Sequence, residues 1–499
     1  MEKALEKNSG IIYIKSKFFI YRVVSYFSFL LLPILIPKSV ELPALAQTTL
    51  MVLYILFMVS QWFFLGKEID HRFKIYFRVN SSMDRVVYRL ILGMVFFYLY
   101  FNLLSFFSHK WIYNLFWVTW VVLGIFYSWP TRGKIIQETV SSNFTEFRYL
   151  DSFEKTLVGL TLVMFVVSIP EFPSIESPDA LKLFFDPKES FSGQFWNFMT
   201  VNYFPFRKYP ELFKVAWCLH YYVIGVGVFM LVFYAFLRFF VSRRLSLLGL
   251  FALISSWSFS KILAAHYGYA ILTTYGLLWI WTTLWVTKSS TYRSGLFLGL
   301  VNYLGVVYNQ FYFLLVFLQL GLLYFFFLED KTSWYKKQII KYSLFGIFCC
   351  LSLFLVNTYK FESLERLGPE FLAEIFRLVD RKAIFSLSFL GLIIVVLKTS
   401  GLGKISRDMQ FPVERLKLLF SCLGLLFVYS IIFDKHLVSS FGLLWLLSFL
   451  ALIPLELLFQ GISRLRSKRN MIYLIYILIC LLDSHFEGRV KIFLRMFNS

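Results

Sequence analysis

Several familiar catalytic patterns are missing from this sequence. It contains no P-loop, no GxGxxG fingerprint after a strand, no HExxH helix and no GxSxG elbow, so we do not expect soluble-type nucleotide chemistry. The five cysteines lie inside apolar runs and form no CxxC pair, so neither a disulfide framework nor a metal site is predicted. An activated substrate would then be carried on a lipid. We expect no resident cofactor and leave a divalent cation open.

Charged residues are also scarce. They make up 16% of the 499 residues, hydrophobic residues make up 59%, and the mean hydropathy is +0.68. A soluble domain of this length cannot bury so much apolar surface, so a membrane must be the solvent. We predict an all-α fold, a polytopic transmembrane helix bundle of about 13–15 spans with short interfacial helices in the outer loops. The segments read as spans are 18–36, 46–65, 88–107, 111–128, 156–170, 213–237, 246–262, 268–286, 295–308, 311–328, 343–358, 383–397, 416–433, 438–459 and 471–482.

The net charge of +21 would suggest a nucleic-acid partner in a soluble protein. Here Lys and Arg gather in alternate loops, including Arg243, Arg244 and Lys468, whereas the acids divide more evenly. This is the positive-inside bias of membrane insertion. It predicts an integral protein of a bacterial inner membrane with a cytoplasmic N-terminus, in which the first span stays as an anchor. The lipid bilayer is then a partner and nucleic acid is not, while the oligomeric state stays open.

The spans fall into two blocks. Residues 1–155 form an N-terminal four-span accessory region, and residues 156–499 form a transmembrane core that opens with a long outer loop at 171–212. That loop is rich in aromatic residues and prolines, which suits short helices lying at the headgroup level. A second outer segment, 359–382, has apolar residues at helical spacing and is predicted to lie along the surface as well.

Reactive side chains concentrate in the predicted outer loops. Carboxylates are nearly absent from the spans, which weakens the case for an ion-coupled transporter. The outer loops instead offer acids for acid/base catalysis and cations for gripping a phosphate. The acids of the outer segment 171–212 include Glu171, Glu176, Asp179, Asp186 and Glu189. The candidate substrate-binding residues are Arg207, Lys208, Lys261, His266, His485 and Arg489.

Residues 156–499 resemble the multi-spanning glycosyltransferases of the GT-C superfamily, which use lipid-linked sugars. The resemblance is one of architecture: an early span at 156–170, an acidic outer loop at 171–212, and then tightly paired spans with minimal loops. It implies that Asp179, with Glu176 just before it, is the base that activates the acceptor, and that Asp186 is a fallback. The stretch HFEGRVKIFLRMF, which begins at His485, is similar to a late Glu-x-Arg-Tyr-like motif that faces the lipid phosphate, although valine replaces the tyrosine. The implied partner is a polyprenyl-phosphate-linked sugar.

Other classes of protein stay open. A transporter or lipid flippase would explain many spans with few loops, although no internal repeat is evident. A membrane enzyme of the carboxylase-like transmembrane family also combines a span, an outer loop and paired hairpins. A non-catalytic membrane subunit is the remaining alternative.

Overall fold

The computed structural model describes residues 43–72, 82–104, 118–119, 122, 149–169, 203, 206, 212, 215–216, 219–256, 259, 269–288, 291–308, 312–326, 333–351, 382–399, 413–433, 440–461 and 467–498. Across these residues the regular structure is helical and contains no strand, so the all-α prediction is confirmed for this part of the chain. A π-helix, His220–Val226, runs directly into α4. The α-helices of the described residues are α1 (Ala44–Arg72), α2 (Ser82–Leu104), α3 (Ser152–Val167), α4 (Gly227–Leu237), α5 (Arg243–Ser255), α6 (Tyr269–Lys288), α7 (Tyr292–Tyr308), α8 (Phe313–Phe326), α9 (Ser333–Leu351), α10 (Lys382–Thr399), α11 (Val413–Ile432), α12 (Ser440–Gly461), α13 (Arg469–Asp483) and α14 (Phe486–Asn498).

Two of these helices are long and apolar enough to cross a membrane. The qualifying stretches are Ala46–Asp70 in α1 and Arg415–Ile432 in α11, and the bent pair of α13 and α14 makes a third if it counts as one span. Described helices overlap every predicted span from 46–65 onward except 111–128. The total of about 13–15 spans and the division at residue 155 stay predictions. The predicted span 18–36 lies outside the described residues, as do nearly all of 111–128, 171–212 and 359–382.

Glycines allow three helix pairs to approach backbone to backbone. Between α7 and α9, a Cβ at Gly295, Gly299 or Gly346 would overlap the carbonyl group of the facing helix. Gly295 and Gly299 form a GxxxG pattern, the small-residue spacing that lets membrane helices pack closely. Gly66 and Gly93 do the same between α1 and α2. Between α10 and α12, a Cβ at Gly391 would meet the backbone of Leu450 in the same way.

Helices α3, α5 and α13 run parallel to one another. At their N-termini Arg243 of α5 binds Glu154 of α3 at 2.7 Å, and Arg244 donates to Asn470 of α13 at 3.3 Å. At the opposite end, Arg489 of α14 bonds to residues at the C-termini of both α3 and α5. These two ends of the bundle are called the Glu154 end and the Arg489 end.

Candidate functional site

Two of the nine predicted site residues, His485 and Arg489, lie in the part of the chain that the structure describes. The other seven lie outside it, so their proposed roles stay predictions. These seven are Glu176, Asp179, Asp186, Arg207, Lys208, Lys261 and His266. Structural information on the predicted site residues is therefore limited to His485 and Arg489, at the Arg489 end of the bundle.

Arg489 is fully buried, with 0% of its surface exposed. Its Nη1 donates to Ser168 Oγ at 3.0 Å and to the carbonyl of Ile254 at 3.2 Å, and its Nη2 donates to the carbonyl of Ser256 at 2.9 Å. The last carbonyls of a helix lack partners within the helix, and a cation is favoured there by the helix dipole. Arg489 thus caps the C-terminus of α5 and contacts the C-cap residue of α3.

This geometry gives Arg489 contacts that the sequence did not predict, while its contact with a lipid phosphate stays a prediction. A residue expected to grip a lipid phosphate uses its guanidinium to tie α14 across the ends of two other helices. The partners could not be read from sequence, because Ser168 lies 321 residues earlier in the chain. One signal was present: Arg489 interrupts the apolar side of an amphipathic helix, where an isolated cation needs acceptors.

His485 lies at the joint between α13 and α14. Its φ of 49° is in the left-handed region, and its side chain is exposed. A left-handed residue just past a helix C-terminus stops the helix, and α14 departs from α13 at 56°. The backbone N–H of Arg489 donates to the carbonyl of His485 at 3.2 Å. His485 therefore lies at the turn from which α14 carries Arg489 into the bundle.

A buried aromatic cluster also lies at the Arg489 end. The Tyr222 hydroxyl donates to the carbonyl of Phe165 in the last turn of α3, at 2.6 Å. The Tyr203 hydroxyl is hydrogen-bonded to Nδ1 of His220, the first residue of the π-helix. Tyr54 of α1 packs its ring against Tyr203, with centroids 6.0 Å apart. The sequence alone did not predict this cluster.

The Glu154 end is held by ion pairs. Glu154 is almost fully buried and accepts from Arg243 through both oxygens, at 2.9 and 2.7 Å. Asp151 pairs with Arg244, and Asp151 and Glu154 form a capping box at the start of α3. Burial acts to raise the pKa of Asp151, but the backbone hydrogen bond from Glu154 and the pairing with Arg244 outweigh it and lower that pKa. The carboxyl group of Glu456 in α12 accepts from the backbone N–H of Ser242 at 3.2 Å.

Uncharged polar groups connect three helices inside the bundle. Asn302 of α7 donates to Gln319 of α8 at 2.7 Å, and Gln319 donates to the hydroxyl of Thr283 in α6 at 2.6 Å. All three side chains are buried. Such hydrogen bonds join membrane helices at modest gain and fix their rotation. The prediction from sequence considered intramembrane charges and did not single out these amides.

The described residues contain no group of three or more His, Cys, Asp or Glu side chains that could hold a metal ion. Comparisons with known proteins found no matching protein-family model, no similar curated protein and no similar solved structure. The likeness to GT-C glycosyltransferases thus rests on the arrangement of spans and loops in the sequence.

Proposed function

We propose that the protein is a polytopic inner-membrane glycosyltransferase that moves a sugar from a polyprenyl-phosphate carrier to an acceptor on the extracytoplasmic face. The apolar composition and the membrane-length helices α1 and α11 support a membrane location. Arg243, Arg244 and Arg469 gather at the Glu154 end, and by the positive-inside rule this supports a cytoplasmic location for that end. The Arg489 end is then the extracytoplasmic one.

One observation carries the proposal: the hydrogen bond between Arg489 and Ser168. Ser168 ends the helix that precedes the acidic segment 171–212, and Arg489 belongs to the late stretch that resembles a phosphate-facing motif. Ser168, at the end of the early helix, and Arg489, in the late stretch, thus lie at the same end of the bundle, which supports a site at that end. Asp179 is 11 residues from Ser168 in sequence, so the chain has ample reach to keep its carboxylate at this end.

In the proposed reaction the carboxylate of Asp179 removes the proton from the acceptor hydroxyl. The acceptor oxygen forms a bond to the anomeric carbon as the bond from that carbon to the phosphate oxygen breaks, and the configuration inverts. The electron pair leaves with the polyprenyl phosphate, whose charge is stabilised by Arg207 or Lys261. Arg489 is assigned to positioning, because its guanidinium is committed to Ser168, Ile254 and Ser256.

The test is mass spectrometry of surface glycans and lipid-linked sugars in a strain that lacks the protein. We expect one glycan to lose a sugar while the matching lipid-linked sugar accumulates, and wild-type protein to restore both. Asp179→Asn should reach the membrane at normal levels yet lower the transfer rate on the order of 10²-fold or more, because it removes the general base.

Asp380→Asn provides a matched control, since it makes the same chemical change in the other outer segment, 359–382. It should restore transfer fully. An unchanged glycan and lipid profile in the deletion strain would contradict the proposal, and full activity of Asp179→Asn would remove that residue from the mechanism.

A transporter is the second candidate, and the buried chain Asn302–Gln319–Thr283 is the observation that favours it. Uncharged amides inside a bundle could contact a polar substrate on its way across the membrane. The two candidates differ in detergent. An enzyme should transfer sugar to acceptor when solubilised, whereas a flippase has no activity once the two sides of the membrane are continuous.

A further inference from the structure

The π-helix His220–Val226 presents two tyrosine-mediated contacts at the Arg489 end. Helices of this type are rare and often occur at functional sites. From its first turn the Tyr222 hydroxyl reaches the carbonyl of Phe165, and His220 binds the hydroxyl of Tyr203. One short element therefore contacts both α3, which precedes segment 171–212, and Tyr203, which lies within it.

The contact between Tyr203 and His220 is fully enclosed. Tyr203 is 0% exposed and His220 is 1% exposed, and their rings meet edge to face with centroids 5.1 Å apart. Tyr54 of α1 packs against Tyr203, and its ring also meets Phe206 edge to face at 4.9 Å. A hydrogen bond in such an apolar setting is costly to lose, because the group left behind has no water to bind.

We propose that His220 is a positioning residue that fixes Tyr203, and with it Phe206, against α1 and the π-helix. This inference rests on the proposed function, since the positioned chain leads to Arg207 and Lys208, two cations assigned to the substrate. Because its ring is enclosed, His220 acts through Tyr203 and does not touch the substrate. In this arrangement α1, which belongs to the predicted accessory region 1–155, helps to hold Tyr203 and Phe206 through Tyr54.

The first test needs no transfer activity. Trypsin cleaves after Arg207 and Lys208, which directly follow Phe206, so cleavage at these bonds in membranes reports how firmly Phe206 is held. We expect slow cleavage in the wild type and in His220→Asn, whose carboxamide can replace Nδ1 as hydrogen-bond partner. His220→Leu and Tyr203→Phe should be cleaved at least several-fold faster at these bonds. Equal rates in all four proteins would overturn the inference.

The second test measures transfer by the same variants. His220→Leu should lower kcat on the order of 10²-fold with little change in KM for the lipid-linked sugar, as expected for misplaced groups, and His220→Asn should recover most of it. Tyr222→Phe is the control, because it also removes a tyrosine hydroxyl from this cluster but one that binds Phe165 instead of His220. If the wild type transfers no sugar while cleavage follows the expected order, the proposed function fails and the positioning contact stands. If His220→Leu keeps wild-type kcat, the inference fails alone.

Discussion

Different interactions hold the parallel helices α3 and α5 together at the two ends of the pair. At the Glu154 end, acids on α3 meet arginines on α5, and the arginine side chains stay about one-third exposed, at 31%. At the Arg489 end, a fully buried cation from a third helix bonds to a hydroxyl and two carbonyls. The first arrangement balances formal charges, and the second satisfies backbone carbonyls at the C-terminus of α5 and a side-chain hydroxyl at the C-terminus of α3.

The difference follows from helix polarity. Parallel helices place both N-termini at one end and both C-termini at the other, and N-termini favour anions whereas C-termini favour cations. Asp151 and Glu154 suit the N-terminus of α3 and also neutralise the arginines at the N-terminus of α5. At the C-termini a single guanidinium serves both helices, because its planar fork reaches several acceptors at once.

The largest effect should come from breaking the Arg489 end. Arg489→Met keeps a flexible, unbranched side chain but is shorter and cannot donate hydrogen bonds, so the carbonyls of Ile254 and Ser256 lose the guanidinium that binds them in a buried site. We expect a loss of about 3 kcal/mol in the free energy of unfolding. The measurement is thermal or denaturant unfolding of the purified protein in detergent.

Arg489→Lys separates charge from geometry. An ammonium keeps the cation at the helix termini but lacks the fork, so it should recover less than half of the loss. Full recovery by lysine would mean that the dipole alone holds this end, and no loss in Arg489→Met would show that the two termini are held by other contacts.

A smaller effect is expected at the Glu154 end. Glu154→Gln keeps the shape of the side chain and removes its charge, leaving Arg243 with a neutral acceptor. Because Arg243 is partly exposed and can turn to water, we expect a loss of about 2 kcal/mol, below the range for a fully buried pair. A double-mutant cycle with Arg243→Gln measures the coupling, and additive losses would contradict a direct interaction.

The sequence predicted where helices lie better than it predicted what their side chains do. Hydropathy located segments such as 46–65 and 416–433, because a run of apolar residues is a local property. The role of Arg489 depends on Ser168, Ile254 and Ser256, which are far away in the chain. A cation in a predicted outer segment was therefore assigned to a ligand when its acceptors belong to the protein itself.

The same limit applies to the buried amides and to the π-helix. Asn302 and Gln319 are 17 residues apart and meet because α7 and α8 are neighbours, which a search for intramembrane charges does not detect. His220 and Tyr203 are 17 residues apart and meet at the first residue of the π-helix, a local change of helix type that hydropathy does not reveal. The GxxxG pattern at Gly295 and Gly299 was readable from sequence and predicts close packing, though not that α9 is the partner.

The smallest effect should come from Asp151, which completes the comparison because it is the more exposed acid of the Glu154 end, at 38%. Its pKa is lowered in the folded protein, so its contribution to stability is fully present above the ordinary aspartate pKa and is lost as pH falls through the lowered value. Asp151→Asn should cost about 1 kcal/mol at neutral pH, because it keeps a good N-cap but removes the negative charge at the helix N-terminus and the ion pair with Arg244. The gap in melting temperature between the variant and the wild type should begin to narrow near pH 4 and close as the pH falls through the lowered pKa of Asp151. Glu487→Gln, which removes an exposed acid paired with Lys491 on α14, is the control and should melt close to the wild type at both ends of this pH range. A gap between Asp151→Asn and wild type that stays constant from pH 7 to pH 3 would mean that the charge of Asp151 does not stabilise this end.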